Sequence, residues 1–160
     1  MKVTFTKVAT RRYSLTAEGT KNGTVKMDPA PGFHDRLPHD AAHLIVEIEL
    51  GIEGGIFGQI AAGGILPPQD QDARIRRKAK KGREAIFKAN NDDALFSEHA
   101  VYAAQSRWEK HEIILDTKIP PADLARIIAK YEEFAAQWSL LPVGGSISLE
   151  WQHVPAKRKR

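Results

Sequence analysis

The sequence predicts an α+β fold: a small antiparallel sheet, made of an N-terminal hairpin and a C-terminal strand, packed against three to five helices. Three observations carry that prediction. Residues 2–8 and 11–17 hold β-branched and aromatic side chains in partial alternation, the period-2 signature of half-buried strands. The stretches 38–50, 83–115 and 120–138 space their apolar residues as helices do. The final run SISLEWQHV returns to clean alternation, with Ile147, Leu149 and Trp151 on one side and Ser148, Glu150 and Gln152 on the other.

In the first two strands, Val3, Phe5, Tyr13 and Leu15 are the expected inward residues. Asn22-Gly23 is a strong turn signal, so a short strand over 24–27 completes the hairpin. DPAPGFHDRLP carries three prolines and a glycine and reads as a loop. A helix over 38–50 then starts on proline and stops at Gly51. IEGGIFGQIAAGGIL predicts a short apolar helix between two glycine pairs. Residues 83–115 read as helix with a break near Asn90-Asn91-Asp92-Asp93, where Asp92 or Asp93 caps a second segment burying Phe96, Val101, Ala104 and Trp108. Pro120-Pro121 opens the last helix, which packs through Leu124, Ile127, Ile128, Tyr131 and Trp138. PVGG is a turn, and the last strand joins the N-terminal sheet.

At 160 residues the chain suits one domain with its own core, assigned to residues 1–154. Hydrophobic residues at 42% and charged residues at 28% place it among globular chains. There is no cysteine, which removes disulfides and thiol catalysis and leaves only His, Asp and Glu to hold a metal. No apolar run approaches a membrane span and no signal-peptide core follows Met1, so the expected location is cytoplasmic. The net charge of +4 conceals a segregation. RIRRKAKKGR, residues 74–83, has seven basic residues and no acid, and the tail KRKR adds four. The remainder holds 13 basic and 20 acidic residues. An exposed, mobile basic segment over 67–83 and a disordered basic tail over 155–160 are expected.

The helix LPHDAAHLIVEIELG carries the sharpest chemical signal. At about 100° per residue, Ala41, Ala42, Leu44, Ile45, Val46 and Ile48 share a broad apolar arc, while His39, Asp40, His43 and Glu47 fill a narrow polar wedge. Glu49 falls inside the apolar arc and needs a partner or an exit to water. His39 and His43, one turn apart, can reach one zinc ion in the manner of HExxH. Asp40 stands where that motif has its general base, and either takes a proton from metal-bound water or orients a ligand. Glu47 reads as a supporting partner of His43 or as part of a separate polar cluster. A third ligand is not marked by spacing: His34 and Asp35 lie just upstream, and Glu98, His99, Glu109, His111 and Glu112 lie on later segments. The competing reading of the wedge is a solvent face, with Asp40 favoured by the helix dipole alone.

Other motifs exclude more than they suggest. The glycines of GIEGGIFGQIAAGG lack the Walker A continuation and the G-x-G-x-x-G spacing, and no serine sits in G-x-S-x-G. In the basic block, Arg76, Arg77, Lys80 and Lys81 gather into a positive stripe if helical, suited to phosphate contacts of a nucleic acid or another polyanion.

Across APGFHDRLPHDAAHLIVEIELGIEGGIFGQIAAGG the chain resembles a family of small uncharacterised bacterial proteins. They share an LPHD-x-x-H-x-x-x-E helix, a glycine-rich G-x-F-G segment and a terminal strand like VGGSISLEW. The resemblance covers most of the chain, brings no activity, and marks His39, Asp40, His43 and Glu47 as positions without an assigned role. The sequence therefore offers two functions. One is a metal-dependent hydrolase with His39 and His43 on zinc and Asp40 as base. The other is a non-enzymatic accessory or binding protein that meets a polyanion through its basic segment.

Overall fold

A computed structural model describes residues 1–30, 36–64, 81, 84–111 and 118–152. Its elements are β1 (Lys2–Ala9), β2 (Arg12–Thr20), β3 (Gly23–Met27), α1 (His39–Leu50), α2 (Ile56–Ala61), α3 (Asn91–Trp108), α4 (Pro121–Leu140) and β4 (Ser146–Glu150). Residues 84–89 are helical and lead through Asn90 into α3. The strands form one antiparallel sheet in the order β3-β2-β1-β4. This is the α+β architecture that the alternation and helical spacing predict, with the C-terminal strand laid against β1.

The register places the alternating residues together. Phe5 is opposite Leu15 on one side and Ile147 on the other. Val3, Phe5, Leu15 and Ala17 are fully buried and Tyr13 nearly so, which makes one face of the sheet the floor of the core. The helices cover it: Phe5 meets Phe134 edge-on at 5.7 Å and Tyr13 meets Trp138 edge-on at 6.5 Å, geometries that suit the ring quadrupole. The opposite face is polar. Its hydroxyls pair across strands, Thr4 with Ser148 and Thr6 with Ser146, each at 2.8 Å.

Local chemistry sets the helix ends. Gly51 closes α1 in the left-handed region at φ 63°, and the Ile52 N–H reaches back to the Glu47 carbonyl at 2.9 Å, the 6→1 bond of a Schellman cap. The helix expected to run to Leu115 stops at Trp108. Lys110 turns to φ 60° and the His111 N–H bonds the Ser106 carbonyl at 2.8 Å, so the same cap forms without a glycine to announce it. Pro121 occupies the first turn of α4, where its missing N–H costs nothing. Neither Asp92 nor Asp93 caps α3. The residue before the helix is Asn90, which makes no side-chain cap bond, and Asp93 instead accepts the Gly54 N–H at 2.9 Å. The expected helix break is real, but its acid is spent on the α1–α2 loop.

Glu49, placed by its spacing on the apolar side, finds its partner in Arg126 of α4 at 3.3 Å. Arg36 lies 4.0 Å over the Trp108 ring and 3.2 Å from Glu132, which also accepts the Trp108 indole N–H at 2.6 Å. The basic segment 67–83, apart from Lys81, and the tail 155–160 lie outside the described residues. No helix among the described residues is long and apolar enough to cross a membrane.

Candidate functional site

The polar wedge of α1 turns inward from water at His43 and Glu47. His43 is fully buried and Glu47 is 1% exposed, because α3 and α2 close over this side of the helix. Ser97, in the second turn of α3, is also fully buried and stands between them. Its hydroxyl lies 3.4 Å from His43 Nδ1 and donates to Glu47 Oε1 at 3.2 Å. The other carboxyl oxygen of Glu47 accepts the Phe57 N–H at 2.9 Å and the Gly58 N–H at 3.4 Å. These are first-turn donors of α2, which no intrahelical carbonyl can satisfy. One side chain thus ties three helices together.

Gly55 is part of this arrangement. A Cβ at Gly55 would fall on the Glu47 carboxyl group, so only glycine lets the α2 backbone come so close. Gly55→Ala is expected to lower folding stability by about 2 kcal/mol, the scale of overpacking a filled interior. Chemical denaturation checks this, and a loss below about 0.5 kcal/mol, the range of neutral surface changes, would show that the carboxyl moves aside freely.

Burial governs the protonation of the pair. It pushes the Glu47 carboxyl up to about 7, although the N–H groups of Phe57, Ile56 and Gly58 and the Ser97 hydroxyl pull the other way. It pushes the His43 imidazole down to about 4, aided by the charge of His39. Desolvation outweighs the hydrogen bonds in both, so the neutral forms are favoured inside the fold. With the one Ser97 hydroxyl proton given to Glu47 Oε1, the hydroxyl oxygen is left to accept from His43 Nδ1–H. His43 Nε2 is then the unprotonated nitrogen of the neutral ring. It has no hydrogen-bond partner, and a carboxylate oxygen of Glu98 is 3.6 Å away.

The other two members of the wedge point elsewhere. Asp40 accepts the Tyr13 hydroxyl at 2.7 Å, tying α1 to the sheet, and burial raises its carboxyl above the usual range. His39 is half-buried with its ring centroid 4.7 Å from that of His43. The acids therefore turn away from the two histidines' common side: Asp40 reaches β2 and Glu47 reaches α2 and α3, while the His39 and His43 rings stay side by side.

That divergence corrects the metal reading. Among the described residues no group of three His, Asp or Glu side chains is arranged to hold a metal ion. A zinc site, and with it metal-dependent hydrolysis, is contradicted. HDxxH supplies two imidazoles at the right spacing, but the Nδ1 of one is committed to Ser97, and Asp40 and Glu47 of the same wedge are committed to Tyr13 and to α2. His34, Asp35 and Glu112 lie outside the described residues. His99 is exposed, and His111 is paired with Glu109 at 3.5 Å.

On its other side Glu47 borders a cleft of about 310 Å³, shared with Ile48, Ile52, Glu53, Glu150 and Trp151. The arrangement can hold a proton near neutral pH between buried groups of α1 and α3. Sequence reasoning found His43 and Glu47 but missed Ser97, Phe57, Gly58 and Gly55. Only the Gly54-Gly55 pair carried a signal, as a place where backbone approaches something closely. Of the predicted basic stripe, Lys81 is helical and exposed, while Arg76, Arg77 and Lys80 lie outside the described residues. Searches for similar proteins return no family model, no curated protein and no solved structure that matches this chain.

Proposed function

We propose that the protein is a non-enzymatic binding protein that contacts a polyanion, such as nucleic acid, through the basic block around Arg76, Arg77, Lys80 and Lys81. The observation that carries this reading is the segregation of charge. Residues 74–83 hold seven cations and no acid, within a chain whose other residues outside the KRKR tail are net acidic. Four cations of the body are paired with acids: Lys26 with Asp28, Arg36 with Glu132, Arg126 with Glu49 and Asp123, and Lys130 with Glu133. The net positive charge is thus concentrated in the block and the tail, and such charge binds phosphates with a strong dependence on salt. The reading sets the protein in the cytoplasm and in company with the small bacterial proteins that its LPHD-x-x-H-x-x-x-E helix resembles.

Fluorescence anisotropy with labelled duplex DNA, single-stranded RNA and polyphosphate, across a salt series, tests it. The full chain is expected to bind with a log–log salt slope of several units. Neutralising Arg76, Arg77, Lys80 and Lys81 together is expected to reduce that slope by roughly three to four on duplex DNA. A full chain that binds none of the three probes at low salt, or a neutralised variant that binds as tightly as the parent, would end the proposal.

A further inference from the structure

The two edges of the sheet are built differently. β3 carries Lys26 and pairs with β2 through a register shift between Ala17 and Thr20. A lysine and an irregular register are devices that keep an edge from pairing with another chain. β4 has neither. Its five residues, SISLE, contain no lysine or proline and pair with β1 from Lys2↔Glu150 to Thr6↔Ser146 without a break. No strand among the described residues covers its outer side.

The hydrogen bonds show what that side offers. Met1 and Trp151 exchange both bonds, at 2.8 and 2.9 Å. Antiparallel pairs alternate, so Leu149 and Ile147 also turn their N–H and C=O towards β1. Ser146, Ser148 and Glu150 then turn theirs outward, and their side chains are exposed.

We infer that this edge pairs with a second copy of the chain, β4 against β4, about a two-fold axis through Ser148. The strand is its own complement. Its pattern of polar, apolar, polar, apolar, polar is unchanged when read backwards, so the axis sets Ser148 against Ser148 of the partner subunit and Ser146 against the partner's Glu150. Each facing pair exchanges two backbone hydrogen bonds, from the groups that point outward. On the core side, Ile147 meets the partner's Leu149. Both side chains are only partly buried in the single chain, and this contact covers what is left open. On the other face, the meeting serines extend the hydroxyl row that Thr4 and Ser148 begin. Charge is compatible with the axis as well. Glu150 is the only charged residue of the strand. It sits at the end, opposite a serine, so two copies meet without like charges in contact. The result is an isologous dimer with a continuous sheet across it. Its contact is small for a protein interface, so association depends on concentration.

Sedimentation equilibrium of the full chain over a concentration series tests this. The average mass is expected to rise towards twice that of one chain. Ser148→Pro removes an outward N–H and no backbone bond to β1, giving up there only the exposed hydroxyl contact with Thr4. It is expected to stay at one chain mass at every concentration, with the circular dichroism spectrum of the parent. A second variant gives a positive readout and covers the case in which proline unfolds the strand. The chain has no cysteine, and facing residues of a hydrogen-bonded pair lie about 5.5 Å apart at Cα, within disulfide reach. Ser148→Cys is therefore expected to cross-link to a covalent dimer in a glutathione redox buffer, and Ser139→Cys, on exposed α4 surface, is not. A parent that remains a single chain throughout overturns the inference and leaves the edge to a peptide of another sequence. A dimer that survives Ser148→Pro, or Ser148→Cys that links no more than Ser139→Cys, overturns it too.

Discussion

Glu47→Ala is expected to be the most damaging single change in the protein, lowering folding stability by about 3–5 kcal/mol at pH 5. The substitution leaves the N–H groups of Phe57 and Gly58 and the hydroxyl of Ser97 without the acceptor they share. Each lies in the closed space between α1, α2 and α3. A buried donor stranded in this way costs about 1–3 kcal/mol, and the missing carboxyl leaves a void beside Gly55 as well. Glu47→Gln keeps an acceptor oxygen for α2 but brings an amide that must find its own acceptors, so a loss of about 1–2 kcal/mol is expected. Urea denaturation of the three proteins at one pH gives the comparison. Glu47→Ala within 1 kcal/mol of the parent would mean that α2 can turn its first N–H groups to water, and that the carboxyl is not what holds the helix in place.

The second large effect concerns pH. The folded-state value of Glu47 is raised to about 7 from an unfolded value of 4.5. Its contribution is thus fully present below pH 4.5 and is lost as pH rises from there through 7. That of His43 is lowered to about 4 from 6.5. Its contribution is present above pH 6.5 and is lost as pH falls from there through 4. Between pH 4.5 and 6.5 the folded pair keeps one proton, on Glu47, and the unfolded pair also keeps one, on His43. The two dependences oppose each other, and this pair contributes almost no slope to the parent protein. Removing either partner exposes the other. Relative to the parent, His43→Leu is expected to lose about 3 kcal/mol between pH 4 and 6.5, and Glu47→Gln to gain a similar amount between pH 4.5 and 7, following about 1.4 kcal/mol per pKa unit. His39, Glu98 and Asp40, the charged or titratable groups nearest this pair on α1 and α3, and Tyr13 on β2, stay in place in both variants. Denaturation curves at half-unit pH steps decide the matter. Difference curves that run parallel to the pH axis for both variants would show that burial does not perturb these two groups.

The strands and the helix positions were legible because they depend on periodicity, which a single chain carries in full. Val3, Phe5, Tyr13 and Leu15 all face the core as their alternation requires. The spacing of His39, Asp40, His43 and Glu47 was legible as a polar wedge, but where the wedge points was not. A polar stripe that faces water, a metal or a neighbouring helix looks the same in sequence, since the difference lies in what packs opposite. Here the opposite side is supplied by Ser97, 50 residues downstream of Glu47, and by backbone N–H groups, which leave no mark on residue type. The capping of α3 was misread for a related reason. Asp93 is a good capping residue, but the loop at Gly54 competes for it and wins. Arg36 takes its place over Trp108 and beside Glu132 only once α3 and α4 have come together, which nothing local in the sequence marks.

β1 lies between β2 and β4 in the sheet, and these neighbours reach it at very different times. The hairpin with β2 pairs residues close in sequence, such as Lys7 with Tyr13, whereas the opposite edge awaits Ser146–Glu150. During synthesis on a ribosome, therefore, the inner strand of the finished sheet is an open edge for nearly the whole translation of the chain, carrying Val3 and Phe5 beside a row of unpaired backbone groups. Contacts of such sequence separation form late and slowly. The nascent protein passes through a long interval with that edge unpaired, and slowing translation of the last helix would lengthen it.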